Sequence, residues 1–279
     1  MLLLSFAKIN LGLQIIEKRP DGFHNLQTVF FPIEWADVVE VLPARDLRLH
    51  ASGLLVDAPA DQNLCVKAFR LLQKDFCLSG ADIYLHKQIP YGAGLGGGSS
   101  NAAAVLMATN RAFALGLNTL QLEKYAAQLG SDCPFFVHNV PMSATGRGEI
   151  LSPAEVHLEG YYLLIVKPNV SVNTAAAYKN VQPQPHRPSV LSIVQQAIET
   201  WKSALVNDFE PSVWTQYPLL QEIKRWLYDE GALYASLSGS GSALFGIFNS
   251  IPPSLTQKLQ PYTVFTQKIS SCYACQTAN

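Results

Sequence analysis

The chain has 279 residues, a formal net charge of −1, 48% hydrophobic residues and 15% charged residues. This composition excludes an intrinsically disordered chain, and the balanced charge without a basic stripe disfavours nucleic acid as a partner. The length favours two domains over a single compact core.

Three features of the sequence indicate the cellular compartment of the protein: its first residues, its cysteines and its hydropathy. Residues 2–16 alternate as a strand does, and no basic segment precedes them, so they predict a first strand rather than a secretory leader. No apolar run approaches the length of a membrane span. The five cysteines are scattered, and the tail pair Cys272 and Cys275 lacks the second pair or the histidines of a zinc site. We expect a cytoplasmic protein without disulfides, zinc or a membrane partner.

The first half of the chain mixes strand and helix patterns. Ser99 or Ser100 is predicted to cap a helix that follows a glycine-rich segment, and Thr119 is predicted to cap another helix that ends near residue 129. The other predicted elements are strands at residues 26–35, 37–42, 46–51 and 82–89, a helix at 63–76 and a hairpin at 141–152.

The pattern changes near residues 153–160, which predicts two domains, residues 1–155 and residues 156–279. When its two consecutive helices are counted as one, the second part has the element order β-α-β-β-α-β, which is typical of a ferredoxin-like fold. Its predicted elements are strands at 161–167, 233–238, 242–248 and 262–269, and helices at 189–206, 217–229 and 252–260.

A glycine-rich segment lies between a predicted strand and a predicted helix. Glycines let backbone N–H groups approach phosphate oxygens without a side chain in the way, and the helix N-terminus that follows favours an anion. The serine hydroxyls could also reach a phosphate or Mg²⁺, and Ser100 is the candidate metal ligand. The predicted phosphate-binding loop consists of Pro90, Tyr91, Gly92, Ala93, Gly94, Leu95, Gly96, Gly97, Gly98, Ser99 and Ser100.

Three well-known phosphate loops fit this segment poorly. A P-loop needs a Lys directly after its last glycine, and none follows Gly97 or Gly98. Gly92, Gly94 and Gly97 match G-x-G-x-x-G, but a Rossmann fold needs a strand ending in an acidic residue about 20 residues later, where a helix is predicted. The V-A-I-K, H-R-D and D-F-G motifs of protein kinases are absent.

Four segments together resemble the GHMP kinases, a family of small-molecule kinases. They are the loop, Ala-Lys-Ile-Asn-Leu-Gly at residues 7–12, Arg-Pro-Asp-Gly-Phe-His-Asn-Leu-Gln-Thr at 19–28 and Leu-Gly-Ser-Asp-Cys-Pro-Phe-Phe at 129–136. The resemblance runs from about residue 5 to residue 248. It implies an α+β fold in two domains, an N-terminal ribosomal-S5-like α/β domain and a C-terminal ferredoxin-like α+β domain. It also implies an active site in the cleft between the domains.

Within this family, the segments are most similar to the branch that uses ATP and Mg²⁺ to phosphorylate the 2-hydroxyl of 4-diphosphocytidyl-2-C-methyl-D-erythritol, in the non-mevalonate isoprenoid precursor pathway. The resemblance implies that Lys8 and Asp132 are the catalytic pair. The chemistry is consistent, because a carboxylate can accept the proton of the hydroxyl and a nearby lysine keeps that carboxylate ionised. Taken singly, Lys8 reads as a surface charge and Asp132 as a turn residue.

The same resemblance implies a set of substrate-side residues. Phe23 and Tyr178 match positions whose aromatic rings stack on the cytosine, and His24 matches a position that hydrogen-bonds it. Asn10 and Lys87 match further substrate-side or nucleotide-side positions. From composition alone, Phe23 would be a core residue and His24 a turn residue.

Two positions depart from the usual pattern of the branch, because Phe23 replaces Tyr and Ser131 replaces Ala. Neither change removes a group that the reaction requires. The segment Gly239-Ser240-Gly241 matches a further glycine motif that packs near the phosphate loop, although a plain hairpin turn would look the same.

Two alternatives remain open at this point. The chain could be a GHMP kinase for another small molecule, which the aromatic positions argue against. It could also be a non-catalytic nucleotide-binding protein on the same scaffold, which the presence of both Lys8 and Asp132 argues against. Either a monomer or a homodimer is compatible with the sequence.

Overall fold

The computed structural model describes residues 1–54, 59–179 and 181–270, so the expectation for Cys272 and Cys275 lies outside the described residues. In those ranges, no helix is both long and apolar enough to cross a membrane. The chain divides into two compact units, and the predicted boundary after residue 155 stays a prediction. Unit 1 contains Met1–Lys8, Pro32–Tyr91 and Gly96–Asn139, and unit 2 contains Ile9–Phe31, Gly92–Leu95 and Val140–Asn279.

Two long paired strands open the chain, β1 (Leu2–Lys18) and β2 (His24–Ala44), and both contribute residues to each unit. The sequence predicted a break in β2 near residue 36, but the strand is continuous. Asp37 lies at this point of the strand. Its side chain is buried and hydrogen-bonded, so its polarity does not end the strand.

In unit 1, the second part of β2 pairs antiparallel with β4 (Gly80–Lys87), which pairs parallel with β3 (Arg48–Gly53). The helices α1 and α2 pack together, and apolar residues of both, including Phe69, Leu72 and Leu106, are fully buried. The helices of this unit are α1 (Leu64–Phe76), α2 (Gly97–Ala112), α3 (Thr119–Ala127) and α4 (Phe135–His138).

The cap of α3 differs from the prediction by one residue. The side chain of Asn118 accepts a hydrogen bond from the backbone N–H of Gln121, and the side chain of Gln121 accepts one from the backbone N–H of Asn118. This capping box makes Thr119 the first helical residue rather than the cap. The prediction for Thr119 was wrong because Asn118 is an equally good capping residue and its partner stands three positions later.

The start of α2 also differs from the prediction. Gly96 is the N-cap, with a left-handed φ of 71°, and no side chain caps the helix. Ser99 and Ser100 lie inside the first turn, so the prediction that either caps α2 was wrong. Because glycine adopts positive φ without strain, the loop turns directly into the helix and leaves the first N–H groups without side-chain partners.

Unit 2 contains a hairpin and a four-stranded antiparallel sheet. The first part of β2 pairs with β5 (Met142–Thr145), and β5 pairs with β6 (Ile150–Pro153), which confirms the predicted hairpin. The four-stranded sheet has the order β10-β7-β9-β8, which is the ferredoxin-like arrangement that the sequence predicted. Its strands are β7 (Tyr162–Lys167), β8 (Tyr234–Leu237), β9 (Leu244–Phe248) and β10 (Thr263–Lys268).

The helices of unit 2 are more broken than the sequence suggested. The predicted helix at 189–206 is two short helices separated by a 3₁₀ turn at Ile198–Thr200. The indole of Trp201 is buried and donates to the carbonyl oxygen of Gln196, which turns the chain there. Two further short helices, α5 and α8, were not predicted. The helices are α5 (Thr174–Lys179), α6 (Val190–Val194), α7 (Trp201–Ala204), α8 (Glu210–Gln216), α9 (Pro218–Asp229) and α10 (Pro253–Lys258).

Candidate functional site

In unit 1, the structure brings together the two predicted catalytic residues. Lys8 lies on β1, and Asp132 lies in the turn between α3 and α4. The Nζ atom of Lys8 is 3.7 Å from Oδ2 of Asp132, and their side chains are 3% and 36% exposed. Burial lowers the pKa of Lys8 from its ordinary value, and the charge of Asp132 opposes that shift. A buried cation therefore lies beside a carboxylate that solvent or a ligand can reach.

The same lysine packs against the predicted phosphate loop. A Cβ atom added at Gly96 would lie 3.2 Å from Cγ of Lys8 and 2.5 Å from Cζ of Phe136. No side chain fits at Gly96, and its φ is positive. The lack of space and the backbone conformation therefore both require glycine there. The contact places the stem of Lys8 directly against the N-cap residue of α2.

The N-terminus of α2 has the properties of an anion-binding element. α2 is 16 residues long, and the first backbone hydrogen bond from its early residues runs from Ser100 N–H to the Gly96 carbonyl. The N–H groups before Ser100 point out of the helix end, where the helix dipole adds partial positive charge. This arrangement can hold phosphate oxygens through the backbone.

Two of the predicted ligand residues are buried beneath this helix end. Nζ of Lys87 is 2.5 Å from Oδ2 of Asp37, and both side chains are almost completely buried. Burial lowers the pKa of Lys87, and Asp37 opposes that shift. The Oγ atom of Ser100 is buried and lies 2.8 Å from Oγ of Ser5. Direct contact of Lys87 with a ligand, or of Ser100 with Mg²⁺, stays a prediction.

In unit 2, the first part of the loop is held against the second glycine motif. The Oγ atom of Ser238 donates to the Gly94 carbonyl at 2.9 Å, and the Ala243 N–H donates to the Ala93 carbonyl at 3.0 Å. A Cβ atom at Gly94 would lie only 1.9 Å from the carbonyl oxygen of Ser238. The prediction that Gly239-Ser240-Gly241 packs near the phosphate loop is therefore confirmed.

Two of the three predicted base-binding residues meet in unit 2. The rings of His24 and Tyr178 are stacked, with centroids 4.9 Å apart and an interplanar angle of 21°. The rings of Tyr178 and Phe209 are nearly perpendicular, with centroids 4.7 Å apart. Phe23 is 54% exposed, and the guanidinium of Arg147 lies 5.0 Å from the centroid of its ring. Aromatic faces and a cation are thus available to a flat anionic ligand.

His24 and Asn10 differ in how tightly the protein holds them. Partial burial, helped by the charge of Lys18, lowers the pKa of His24, which favours a neutral imidazole at pH 7. The Nδ2 atom of Asn10 donates to Oγ1 of Thr28, which donates to the Gly12 carbonyl. Asn10 is therefore a fixed, buried amide, whereas His24 lies nearer the surface.

Sequence reasoning missed three residues that contact the predicted ones, namely Asp37, Arg147 and Phe209. Asp37 is the first residue of a predicted strand, and Phe209 lies between two predicted helices. Arg147 lies between Gly146 and Gly148, which are both in the left-handed region. That Gly-Arg-Gly turn was the one local signal available, because a side chain between two glycines is often displayed by a tight turn.

Family comparisons match two parts of the chain. Residues 63–140 match the family described as GHMP kinases N terminal domain, and residues 190–256 match the family described as GHMP kinases C terminal. The first match contains the glycine-rich loop and Asp132. The second contains the second glycine motif.

The chain is also similar over most of its length to individual proteins. It is 50% identical to a 4-diphosphocytidyl-2-C-methyl-D-erythritol kinase of Bacteroides fragilis, over 87% of this chain and 90% of the relative. It is 42% identical to the protein of that name from Cytophaga hutchinsonii, over 96% and 97% of the two chains. A crystal structure of 4-(cytidine 5'-diphospho)-2C-methyl-D-erythritol kinase matches with a TM-score of 0.79 at 31% identity, covering 95% of this chain and 98% of that one.

Proposed function

Because the chain belongs to the GHMP kinases, and within them to the 4-diphosphocytidyl-2-C-methyl-D-erythritol kinases, we propose that it phosphorylates the 2-hydroxyl of that substrate with ATP. The product would serve isoprenoid precursor synthesis. One observation carries the proposal beyond family membership. Lys8 packs its stem against Gly96 while its ammonium pairs with Asp132, so an acid–base pair adjoins an anion-binding helix end.

Asp132 would act as the general base. Its carboxylate takes the proton from the 2-hydroxyl as that oxygen bonds to the γ-phosphorus of ATP, and the bond from the γ-phosphorus to the β,γ-bridging oxygen breaks, which releases ADP. The ammonium of Lys8 keeps the carboxylate ionised and stabilises charge that develops on the transferring group. Because Lys8 is buried, its charge acts with little screening by water.

The ATP phosphates would be held mainly by backbone N–H groups at the start of α2. Mg²⁺ would arrive with the nucleotide and offset the charge of its phosphate oxygens. The residues present fit that role, because Ser99 in the first turn is only half-buried, so its hydroxyl can add a hard oxygen to those of the phosphates. Within the ranges that the structure describes, no cluster of three acidic, histidine or cysteine side chains forms a metal cage.

The cytosine would be held in unit 2. Phe23 and Tyr178 offer aromatic faces, and the neutral imidazole of His24 offers a nitrogen that can accept from the amino group of cytosine. The stack of His24 on Tyr178 must loosen if the base is to lie on the Tyr178 face that His24 covers. The replacement of Tyr by Phe at position 23 keeps the stacking face. We also infer a cytoplasmic setting, as a monomer or homodimer.

A coupled ADP-release assay tests the proposed function. The purified protein should release ADP rapidly with 4-diphosphocytidyl-2-C-methyl-D-erythritol and slowly with homoserine, mevalonate, phosphomevalonate and galactose. Detection of the phosphorylated product by phosphorus NMR should place the new phosphate on the 2-hydroxyl. Faster turnover of any other alcohol in the panel would assign the chain to another specificity within the family.

A further inference from the structure

Asp37 has four hydrogen-bond donors around one buried carboxylate. It lies on β2, and its side chain has no solvent exposure. Oδ2 accepts from Nζ of Lys87 at 2.5 Å and from Nδ2 of Asn101 at 2.8 Å. Oδ1 accepts from the backbone N–H groups of Gln88 at 2.6 Å and Ile89 at 2.8 Å. All four partners are donors, which is the pattern that only an ionised carboxylate can satisfy.

These donors come from both sides of the glycine-rich segment. Lys87 ends β4, and Gln88 and Ile89 follow it immediately before the segment, whereas Asn101 belongs to α2 after it. A Cβ atom at Gly97 would lie 2.9 Å from Nζ of Lys87 and 3.0 Å from Cγ2 of Ile89. The first turn of α2 therefore rests directly on the groups that Asp37 holds.

The network extends one step further along α2. Nδ2 of Asn101 also donates to Oγ of Ser5 at 2.9 Å, and Ser5 in turn contacts Oγ of Ser100. Every side chain in this chain of bonds is buried. Buried and fully paired polar groups resist displacement. If any one of them moves, another buried group is left without a hydrogen-bond partner, which costs considerable free energy.

We propose that Asp37 is a positioning residue for ATP, which ties the end of β4 to the first turn of α2 and so sets the direction of the N–H groups that receive the phosphates. This inference rests on the proposed function for the identity of the nucleotide. Asp37 touches neither ATP nor the alcohol in this proposal. Its effect on ATP passes through Lys87, the backbone at residues 88–89 and Asn101.

The test compares Asp37→Asn with Val41→Ala. The amide keeps the shape of the carboxylate but turns one acceptor oxygen into a donor that faces other donors. Misplacement of the N–H groups should raise the Kd for ATP about 10- to 100-fold, measured by isothermal titration calorimetry without any alcohol. Val41 is buried on the same strand, so Val41→Ala lowers the melting temperature without touching the network, and its Kd for ATP should stay within about twofold of wild type.

A second variant covers the case in which Asp37→Asn does not fold. Asn101→Ala removes one of the four donors and should raise the Kd for ATP about two- to tenfold, while the KM for the alcohol stays unchanged. The inference is overturned if Asn101→Ala leaves the Kd for ATP at the wild-type value, or if a folded Asp37→Asn does so. If the wild type binds ATP but does not phosphorylate the cytidine-linked alcohol, the proposed function is refuted. The Kd values for ATP of the wild type and the variants would still test the role of Asp37.

Discussion

The predicted phosphate-binding region and the predicted base-binding region are built in opposite ways. In the first, the charged groups Lys8, Asp37 and Lys87 are buried and paired, Lys8 with Asp132 and Lys87 with Asp37, and Asp37 also accepts hydrogen bonds from the backbone. In the second, Phe23 is more than half exposed, and His24 makes its ring contact by stacking. Phosphoryl transfer depends on fixed charges and N–H groups, whereas stacking needs only an accessible face, and the two regions reflect that difference.

The difference also predicts how each region responds to change. A buried polar network loses several bonds when one member changes, so effects on the phosphate side should be large and should involve stability as well as rate. An exposed aromatic group has few dependent neighbours. Changes on the base side should therefore alter selectivity while leaving the melting temperature nearly unchanged.

The largest effect is expected from Asp132→Asn. The amide cannot accept the hydroxyl proton, so kcat should fall at least about 100-fold, whereas the Kd for ATP should change little, because in the proposed function the backbone rather than Asp132 holds the phosphates. Steady-state kinetics and calorimetry on the same preparation measure both quantities.

Asp82→Asn is the matched control, since Asp82 is a carboxylate of β4 in the same unit and pairs with His50 at the surface. It should keep wild-type kcat. If Asp132→Asn keeps a kcat close to that of the wild type, Asp132 is not the general base.

A smaller effect should follow from His24→Ala. If His24 accepts from the cytosine amino group, the wild type should prefer the cytidine substrate over its uridine analogue by about five- to 150-fold in kcat/KM, and the variant should lose most of that preference. Phe23→Leu should instead weaken both substrates alike, because both bases have a stacking face. The ratio of kcat/KM values for the two substrates is the measurement.

His50→Ala provides the control, because His50 also stacks on an exposed tyrosine, Tyr84, at a centroid distance of 4.5 Å. It should leave the ratio unchanged. The ratio should also fall when the pH drops through the pKa of His24, which lies below its ordinary value of 6.5, because the imidazolium has no acceptor. Equal rates on both substrates in the wild type would refute the cytosine site.

The smallest effects separate two neighbouring glycines of α2. A Cβ atom at Gly98 would meet only Leu64, at 3.8 Å, so Gly98→Ala should stabilise the fold by about 0.5–1 kcal/mol through helix propensity. A Cβ atom at Gly97 would press on Lys87 and Ile89, so Gly97→Ala should destabilise it by about 1–3 kcal/mol. Denaturant unfolding measures both free energies.

Gly98→Ala also isolates the role of the loop in binding. Because the fold tolerates this Cβ, any rise in its Kd for ATP must come from the nucleotide rather than from a damaged protein. Unchanged stability in Gly97→Ala would mean that the groups beneath the helix are less rigid than their hydrogen bonds indicate.

Local sequence patterns were enough to predict the periodic elements, the ferredoxin-like order of the C-terminal strands and the glycine-rich loop between a strand and a helix. Each of these depends on neighbours in the chain: alternation, capping residues and glycines that tolerate positive φ. The family resemblance added Lys8 and Asp132, which are 124 positions apart in the chain and which no local pattern could pair.

The roles of the isolated polar residues follow from contacts that form only in the folded chain. Asp37 is the first residue of a predicted strand, and its role follows from four donors, drawn from residues 87–101, that the fold brings around it. The helix predicted at 189–206 broke where the indole of Trp201 bonds to the Gln196 carbonyl, since a tertiary position for that ring outweighs weak helix propensity. In both cases the deciding free energy comes from burial with satisfied hydrogen bonds, which depends on partners that sequence spacing does not reveal.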